Sequence, residues 1–195
     1  MQDSSQWAAN VIIADADYID KVAFDLIVNF ERMLERRIPQ ADMPKWAECI
    51  ALDGGLRQGD NSVHVILIHD HQTTAMQNFV PANYAQELNG QAFKGPLGEF
   101  SFSAITTEGL ASTTQLFLDT LQIVAQQHDV QRLMVIANDN IYNNVRASLK
   151  DVDRQKEVTV FAMQPMPGGN FRQEILGFSL MAALGIRGEE LKIEK

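Results

Sequence analysis

Residues 11–20 read VIIADADYID, and this stretch indicates the class of fold. Four apolar residues run without a break into three acids, Asp15, Asp17 and Asp20. A short continuous apolar run that ends at a polar residue is typical of a strand buried inside a parallel sheet. The stretch therefore predicts a central strand with carboxylates at its carboxyl end.

An amphipathic helix is predicted immediately after this strand. Apolar residues that recur at steps of three and four share one face of a helix. The residues that do so here are Ile19, Val22, Ala23, Leu26, Ile27, Phe30, Met33 and Leu34. Pro39 ends the helix or closely follows its end. We expect the apolar face to pack on the sheet.

Strands and helices continue to alternate along the chain. We predict further strands at 49–53, 63–68, 100–105, 132–139 and 157–165, and helices at 110–128, 143–152 and 171–186. Such alternation predicts a mainly parallel, Rossmann-like sheet with helices on both faces. The expected fold is a three-layer α/β/α sandwich, built as a single domain over residues 1–195 with a loop-rich insertion at about 71–100.

The composition fits one globular domain, because 46% of the residues are hydrophobic and 21% are charged. The net charge of −9 disfavours RNA and anionic membranes as partners. The lone cysteine, Cys49, excludes an intrachain disulfide, and no secretory leader or membrane-spanning stretch is visible. We therefore expect a cytoplasmic protein.

A second strand end repeats the pattern of the first. In VIANDNIYNNV, an apolar run and an alanine lead into Asn138, Asp139 and Asn140. Because the carboxyl ends of parallel strands line the ligand crevice of an α/β sheet, we expect these residues to lie near Asp15 and Asp17. Such a cluster of like charges needs a divalent cation, a shared proton or solvent, although capping of the following helices explains the same residues equally well.

The chain resembles the NYN-type nuclease domains, which are relatives of PIN domains, over about residues 1–25 and 110–165. The resemblance rests on VIIADADY, on the helix around LFLDTL, on the strand end VIANDN and on the strand VTVFA. It implies that Asp15, Asp119 and Asp139 ligate Mg²⁺ or Mn²⁺, which would activate water against a phosphodiester. Asp17 joins Asp15 and Asp139 as a catalytic candidate, and Asn138 and Asn140 are binding candidates.

Two departures from the NYN pattern predict a weak or inactive site. Thr113 stands where the family helix usually has its first Asp, and Ile141 stands where the second Asp of the strand-end motif belongs. Each replacement removes a charged ligand from a site for a hard cation. The expected function is therefore a degenerate metal-dependent phosphodiesterase or ribonuclease.

Two other functions are also consistent with the sequence. The first is a phosphatase, because the spacing of Asp15 and Asp17 matches the D-x-D motif of haloacid-dehalogenase-like phosphatases, in which the first Asp is the nucleophile.

The second alternative function is a non-catalytic interaction or dimerisation module. The segment 171–186 is apolar on more than one face, so we expect a homodimer with this segment or the middle of the chain at its interface. The chain also resembles uncharacterised proteins of Bacteroides-type bacteria.

Overall fold

The structure, a computed structural model, describes residues 6–109 and 111–191. A mixed α/β architecture is built from nine strands and five α-helices within those residues. The strands are β1 (Asn10–Asp15), β2 (Ala41–Asp42), β3 (Asn61–His69), β4 (Phe79–Val80), β5 (Ala92–Gly95), β6 (Gly98–Thr106), β7 (Arg132–Ile136), β8 (Glu157–Ala162) and β9 (Arg172–Ile175). The helices are α1 (Ala16–Leu34), α2 (Met43–Asp53), α3 (Thr113–Ala125), α4 (Tyr142–Ser148) and α5 (Leu176–Ala183).

The central sheet has seven strands in the order β5-β6-β3-β1-β7-β8-β9. All neighbours pair in parallel except β5, which is antiparallel to β6. From β1 the chain first adds β3 and β6 on one side and then adds β7, β8 and β9 on the other. The direction of winding therefore reverses at β1, which places a topological switch point beside its carboxyl end.

Side chains of β1 alternate between two apolar clusters on opposite faces of the sheet. Ile12 and Ala14 belong to a cluster with buried residues of α1, α2 and α5. Val11 and Ile13 belong to a second cluster with buried residues of α3 and α4. Because both faces of β1 are covered, its sequence is continuously apolar, as predicted.

The predicted first helix is confirmed as α1. Its amino terminus is capped by Asp15, whose carboxylate accepts a hydrogen bond from the backbone N–H of Tyr18. Ile19, Val22 and Ala23 are buried against the sheet.

Among the described residues, no helix is long and apolar enough to cross a membrane.

The strand predicted at residues 49–53 is wrong, because this segment is the second half of α2. Asp42 caps the helix by accepting a hydrogen bond from the N–H of Lys45, and Pro44 occupies its first turn. The buried residues Trp46, Ala47, Ile50 and Ala51 then follow helical spacing. The run CIALD alone carries none of these start signals, and the preceding cap at Asp42 determines that it is helical.

The helix predicted at 171–186 is also wrong in its first part. Arg172–Ile175 forms β9, which adds to the sheet beside β8 and pairs Phe161 with Glu174. Its polar residues suit an edge strand, because charges at an edge oppose further pairing. The helix proper, α5, covers Leu176–Ala183 and buries Leu176 and Leu180.

The segment expected as an insertion contains little regular structure between β3 and β5. It holds the two-residue strand β4, which pairs with β2, and a π-helical turn at Tyr84–Leu88. At its end, Gly98 lies so close to the backbone of Asn61 that a Cβ atom there would collide with the Asn61 carbonyl oxygen. Its positive φ of 131° also favours glycine.

Candidate functional site

The carboxyl ends of β1 and β7 lie side by side at the switch point of the sheet. Ala14 is in register with Ile136, so Asp15 and the residues that follow β7 emerge at the same edge. Open α/β sheets bind ligands in this crevice. The candidate site is therefore built on Asp15, the residues 137–140 and the first turns of α1.

Asp15 is a partly buried carboxylate at the amino end of α1. One oxygen, Oδ1, accepts a hydrogen bond from the Tyr18 N–H at 3.1 Å. Burial raises the pKa of Asp15 from its ordinary 3.8 to about 6, and the charge of Asp17 adds to this, against the lowering effect of the backbone hydrogen bonds. At neutral pH the ionised form is therefore poorly compensated, which favours the approach of a cation.

Asp17 has a structural role that the sequence did not reveal. Its Oδ2 atom accepts a hydrogen bond from the backbone N–H of Asp70 at 2.7 Å, and its Oδ1 atom accepts one from the hydroxyl of Thr73 at 3.0 Å. Both oxygens are thus used to hold the segment after β3. Asp17 is placed beside Asp15, as predicted, but with both oxygens engaged by protein groups.

Asp20, the third acid of the opening stretch, holds the same segment further along. Its carboxylate accepts hydrogen bonds from the N–H group of Gln77, at 3.0 Å for the shorter of two contacts, and from the N–H group of Asn78 at 2.8 Å. The Asn78 side chain donates in return to the Asp20 carbonyl at 3.2 Å. Asp17 and Asp20 together therefore anchor residues 70–78 on α1.

Asp139 begins a short 3₁₀ turn, Asp139–Ile141, which Ala137 and Asn138 separate from the end of β7. Its Oδ1 atom is buried and has no hydrogen-bond partner among the described residues. Burial raises the pKa of the Tyr18 phenol, and the charge of Asp139 and the contact of the phenol with the Asp139 side chain raise it further, as does the charge of Asp15. Tyr18 therefore lies within the electrostatic reach of both carboxylates.

Asn138 and Asn140 line a groove of about 370 Å³ next to Asp139. The groove runs along α1 and is also bordered by Tyr18, Lys21, Asp25, Asn29 and Met163. The Asn138 side-chain oxygen accepts a hydrogen bond from the Asn140 N–H at 3.0 Å, which fixes the turn. The structure thus brings both predicted binding residues into one groove, which a lysine and an aspartate also border.

Asp119 lies elsewhere on the molecule. It is exposed on α3, which packs on the sheet face opposite to α1, and it accepts a hydrogen bond from Gln115 at 2.7 Å. Within residues 6–109 and 111–191, no group of three or more His, Cys, Asp or Glu is arranged to hold a metal ion. The three-acid ligand set of Asp15, Asp119 and Asp139 stays a prediction.

Tyr84 reaches the site from the segment between β3 and β5, and sequence reasoning missed it. Its ring stacks on His69 with centroids 3.7 Å apart and ring planes 8° apart. Burial raises the pKa of its phenol, and so do the charges of Asp17, Asp20 and Asp15. No local signal marks Tyr84, because its partners are distant in sequence.

Comparisons with known proteins give a family but no activity. A model of the family of unknown function DUF6621 matches residues 4–191. No curated protein matches the chain, and no solved structure matches it. Because the family model covers far more than half of the sequence, the chain belongs to the family of unknown function DUF6621.

Proposed function

We propose that the protein is a PIN/NYN-like, Rossmann-like three-layer domain in which Asp15 and Asp139 hold one Mg²⁺ or Mn²⁺ ion and support slow phosphodiester cleavage. The observation that carries this proposal is the buried, unpartnered Oδ1 atom of Asp139 at the edge where Asp15 emerges. A buried carboxylate oxygen without a partner is costly, and a cation offsets that cost.

The fold supports the proposal through the position of the site. The sheet reverses its winding at β1, and helices pack against β1 from both faces. The candidate ligands follow β1 and β7, which are the two strands that border the switch point. This is the crevice in which α/β proteins bind phosphate-bearing ligands.

Each residue of the candidate site has a separate role in the proposed reaction. Asp15 and Asp139 supply carboxylate oxygens to the cation, whose chemistry is to lower the pKa of a bound water. Lys21, with the amides of Asn138 and Asn140, lines the adjacent groove and binds the phosphate and the sugar of the substrate. Tyr18 borders the same groove and lies near both carboxylates, and its hydroxyl would donate a hydrogen bond to the phosphate.

Three features make the proposed activity weak. The NYN acids are replaced by Thr113 and Ile141, so two carboxylates must be supplemented by water ligands. Asp17 is engaged by Asp70 and Thr73 and is not free to serve as a further ligand. The net charge of −9 also repels a polyanionic substrate.

The phosphatase alternative receives less support from the geometry. In that mechanism the second Asp of D-x-D transfers a proton to the leaving group. Both oxygens of Asp17 instead accept hydrogen bonds from the segment after β3. Asp17 would have to release Asp70 and Thr73 before it could act.

A dimerisation module is the second candidate, and it rests on Phe178. This residue is 68% exposed on α5, while its helical neighbours Leu176 and Leu180 are fully buried. A second copy of the chain packed against α5 would cover this ring. Sedimentation equilibrium of the protein and of Phe178→Ser tests this candidate, which predicts a dimer that the substitution dissociates. A monomeric wild type contradicts it.

The cation proposal is tested by titrating Mn²⁺ into the purified protein and following free Mn²⁺ by electron paramagnetic resonance. We expect one weak site that is lost in Asp15→Asn and Asp139→Asn. Asp119→Asn is the matched control, because the exposed Asp119 lies on another helix and should leave the affinity unchanged. Loss of binding in Asp119→Asn would instead support the three-acid set.

Activity is measured on single-stranded RNA with Mn²⁺ and the same variants. Slow cleavage that is abolished in both Asp15→Asn and Asp139→Asn supports the proposal. Mn²⁺ binding without any cleavage leaves the site as a binding site only. Cleavage that persists in both variants contradicts the assignment of these carboxylates.

A further inference from the structure

A second cavity, of about 840 Å³, lies at the amino ends of the strands, away from the candidate site. Its floor is formed by the first halves of β3 and β6, where Ser62, His64 and Ser101 line the cavity. Its walls are the segment before β1, which includes Trp7, and the turn before β7, which includes Asp129. The volume suits a small organic ligand.

The walls of this cavity are tied together by hydrogen bonds. The carbonyl oxygen of Ala9 accepts hydrogen bonds from the N–H groups of Gln131 and Arg132, at 2.8 Å and 3.0 Å. The side-chain amide of Asn10 donates to the Ser62 carbonyl at 3.1 Å. The cavity is therefore formed before any ligand arrives, which lowers the entropic cost of binding.

The side chains on the floor are also held in place. One ring nitrogen of His64, Nε2, is hydrogen-bonded to the Ser103 hydroxyl at 2.7 Å. Burial lowers the pKa of His64, which keeps the ring neutral at physiological pH. The Trp7 ring lies 6.4 Å from the His64 ring, between centroids, and the two planes are tilted by 44°.

The chemistry of the lining excludes several classes of ligand. Among the residues that the structure describes, no lysine or arginine lines the cavity, and Asp129 carries a negative charge, so a phosphorylated ligand is disfavoured. His64, His128 and Asp129 do not form a metal-binding group in the part of the chain that is described. The tilt between Trp7 and His64 leaves no parallel slot in which both rings could sandwich a flat base.

The remaining features match a sugar. Hydroxyl and carboxamide groups, from Ser62, Ser101, Gln6 and Gln131, both donate and accept hydrogen bonds, as the hydroxyls of a sugar require. A carboxylate such as Asp129 accepts from sugar hydroxyls. The half-buried indole of Trp7 lines the cavity and supplies an aromatic surface for the C–H groups of one pyranose ring.

We propose that this cavity binds an uncharged carbohydrate, with Trp7 as the stacking surface for one pyranose and with Ser62, Ser101 and Asp129 as hydrogen-bond partners. This binding site is independent of the proposed cation site, because it lies at the amino ends of the strands and the cation site lies at their carboxyl ends. Its occupant needs neither a metal nor a phosphate. The protein would thus carry a sugar-binding site at the amino ends of its strands and a cation site at their carboxyl ends.

The test uses a panel of neutral sugars with the whole protein: glucose, galactose, mannose, N-acetylglucosamine, maltose, cellobiose and lactose. Binding is detected by saturation-transfer difference NMR and by tryptophan fluorescence. The second tryptophan, Trp46, is fully buried against Phe79, so a fluorescence change on ligand addition reports on Trp7. We expect at least one sugar to bind with millimolar or better affinity.

Three variants locate the site. Trp7→Ala and the double variant Ser62→Ala/Ser101→Ala should each weaken binding at least tenfold. Phe24→Ala is the matched control, because it removes an exposed aromatic ring from α1 and should leave binding unchanged. Circular dichroism verifies folding, and the serine variant decides the result if Trp7→Ala is misfolded.

Several outcomes would overturn the proposal. One is that no sugar of the panel produces a signal at millimolar concentration. Another is that sugar binding persists unchanged in the serine variant. A third is that adenosine or uridine binds more tightly than every sugar, which would assign the cavity to nucleosides. Mn²⁺ binding at Asp15 is measured separately, so its failure leaves this test unaffected.

Discussion

The carboxylate of Asp17 accepts a hydrogen bond from the backbone N–H of Asp70 at 2.7 Å, across 53 residues of sequence. The same carboxylate also accepts the Thr73 hydroxyl. This contact ties the first turn of α1 to the segment that leaves β3. An acid that looks like a catalytic residue in the sequence is therefore a structural anchor in the fold.

We predict that Asp17→Ala destabilises the protein by about 1–3 kcal/mol, because it leaves the Asp70 N–H and the Thr73 hydroxyl without their acceptor. Urea unfolding measures this change. Asp25→Ala is the matched control, since Asp25 is exposed on the same helix and its removal should cost less than about 0.5 kcal/mol. Equal stabilities of the two variants would contradict the anchoring role.

Asp15→Asn is predicted to stabilise the protein at neutral pH. The pKa of Asp15 is raised from 3.8 to about 6, so between these values the native state binds more protons than the unfolded state. The stability contributed by this group is therefore full below about pH 4 and is lost as pH rises through 6. The total effect is at most about 3 kcal/mol.

The measurement compares wild type and Asp15→Asn by urea unfolding from pH 4 to pH 8. Asparagine keeps the cap, so the difference isolates the buried charge. The variant should match the wild type near pH 4 and exceed it above pH 6. A difference that does not change with pH would show that the Asp15 pKa is not raised. Saturating Mn²⁺ should reduce the advantage of the variant.

Tyr84→Phe should leave the protein as stable as the wild type or slightly more stable. The Tyr84 hydroxyl is buried and has no hydrogen-bond partner among the described residues, so its removal takes away an uncompensated polar group. The stack on His69 is retained. Tyr84→Ala, in contrast, should cost about 3–5 kcal/mol through the cavity that it leaves. Thermal unfolding of both variants makes the comparison, and a large loss in Tyr84→Phe would reveal a partner for the hydroxyl.

The pair of Arg36 and Glu190 predicts an acid-sensitive contact at the end of α1. Two hydrogen bonds, at 2.8 Å and 2.9 Å, join the guanidinium to the carboxylate. The Arg36 guanidinium, and then the Arg187 N–H, lower the pKa of Glu190 from 4.5 to about 2. The stability from this pair is thus present above pH 4.5 and is lost as pH falls toward 2.

Glu190→Gln should therefore be less stable than the wild type at pH 7, with a difference that shrinks as the solution is acidified. Differential scanning calorimetry at several pH values follows this change. Glu189→Gln provides the control, because Glu189 is the exposed neighbour in the same turn. A similar effect in both variants would attribute the loss to net charge and not to the contact with Arg36.

The local sequence was sufficient to predict those strands and helices whose buried faces leave a regular pattern of apolar residues. The apolar run of β1, the spacing of α1 and the strands β3, β6, β7 and β8 could all be predicted, since burial on one or two faces imposes a period on the sequence itself. The segment CIALD could not, because an apolar run of five residues fits a strand and a helix equally well. Its outcome depended on the cap at Asp42.

The sequence by itself determined that Asp15 and the residues 138–140 would emerge at one edge of the sheet, because parallel strands that are buried on both faces end at the same side. Only the tertiary structure decided which of these carboxylates accept hydrogen bonds from distant parts of the chain. Asp17 and Asp20 are occupied by groups 53 and 58 residues away, whereas Asp139 keeps a buried oxygen without a partner among the described residues. No local pattern records such contacts, because a carboxylate accepts from whichever N–H the folded chain brings to it.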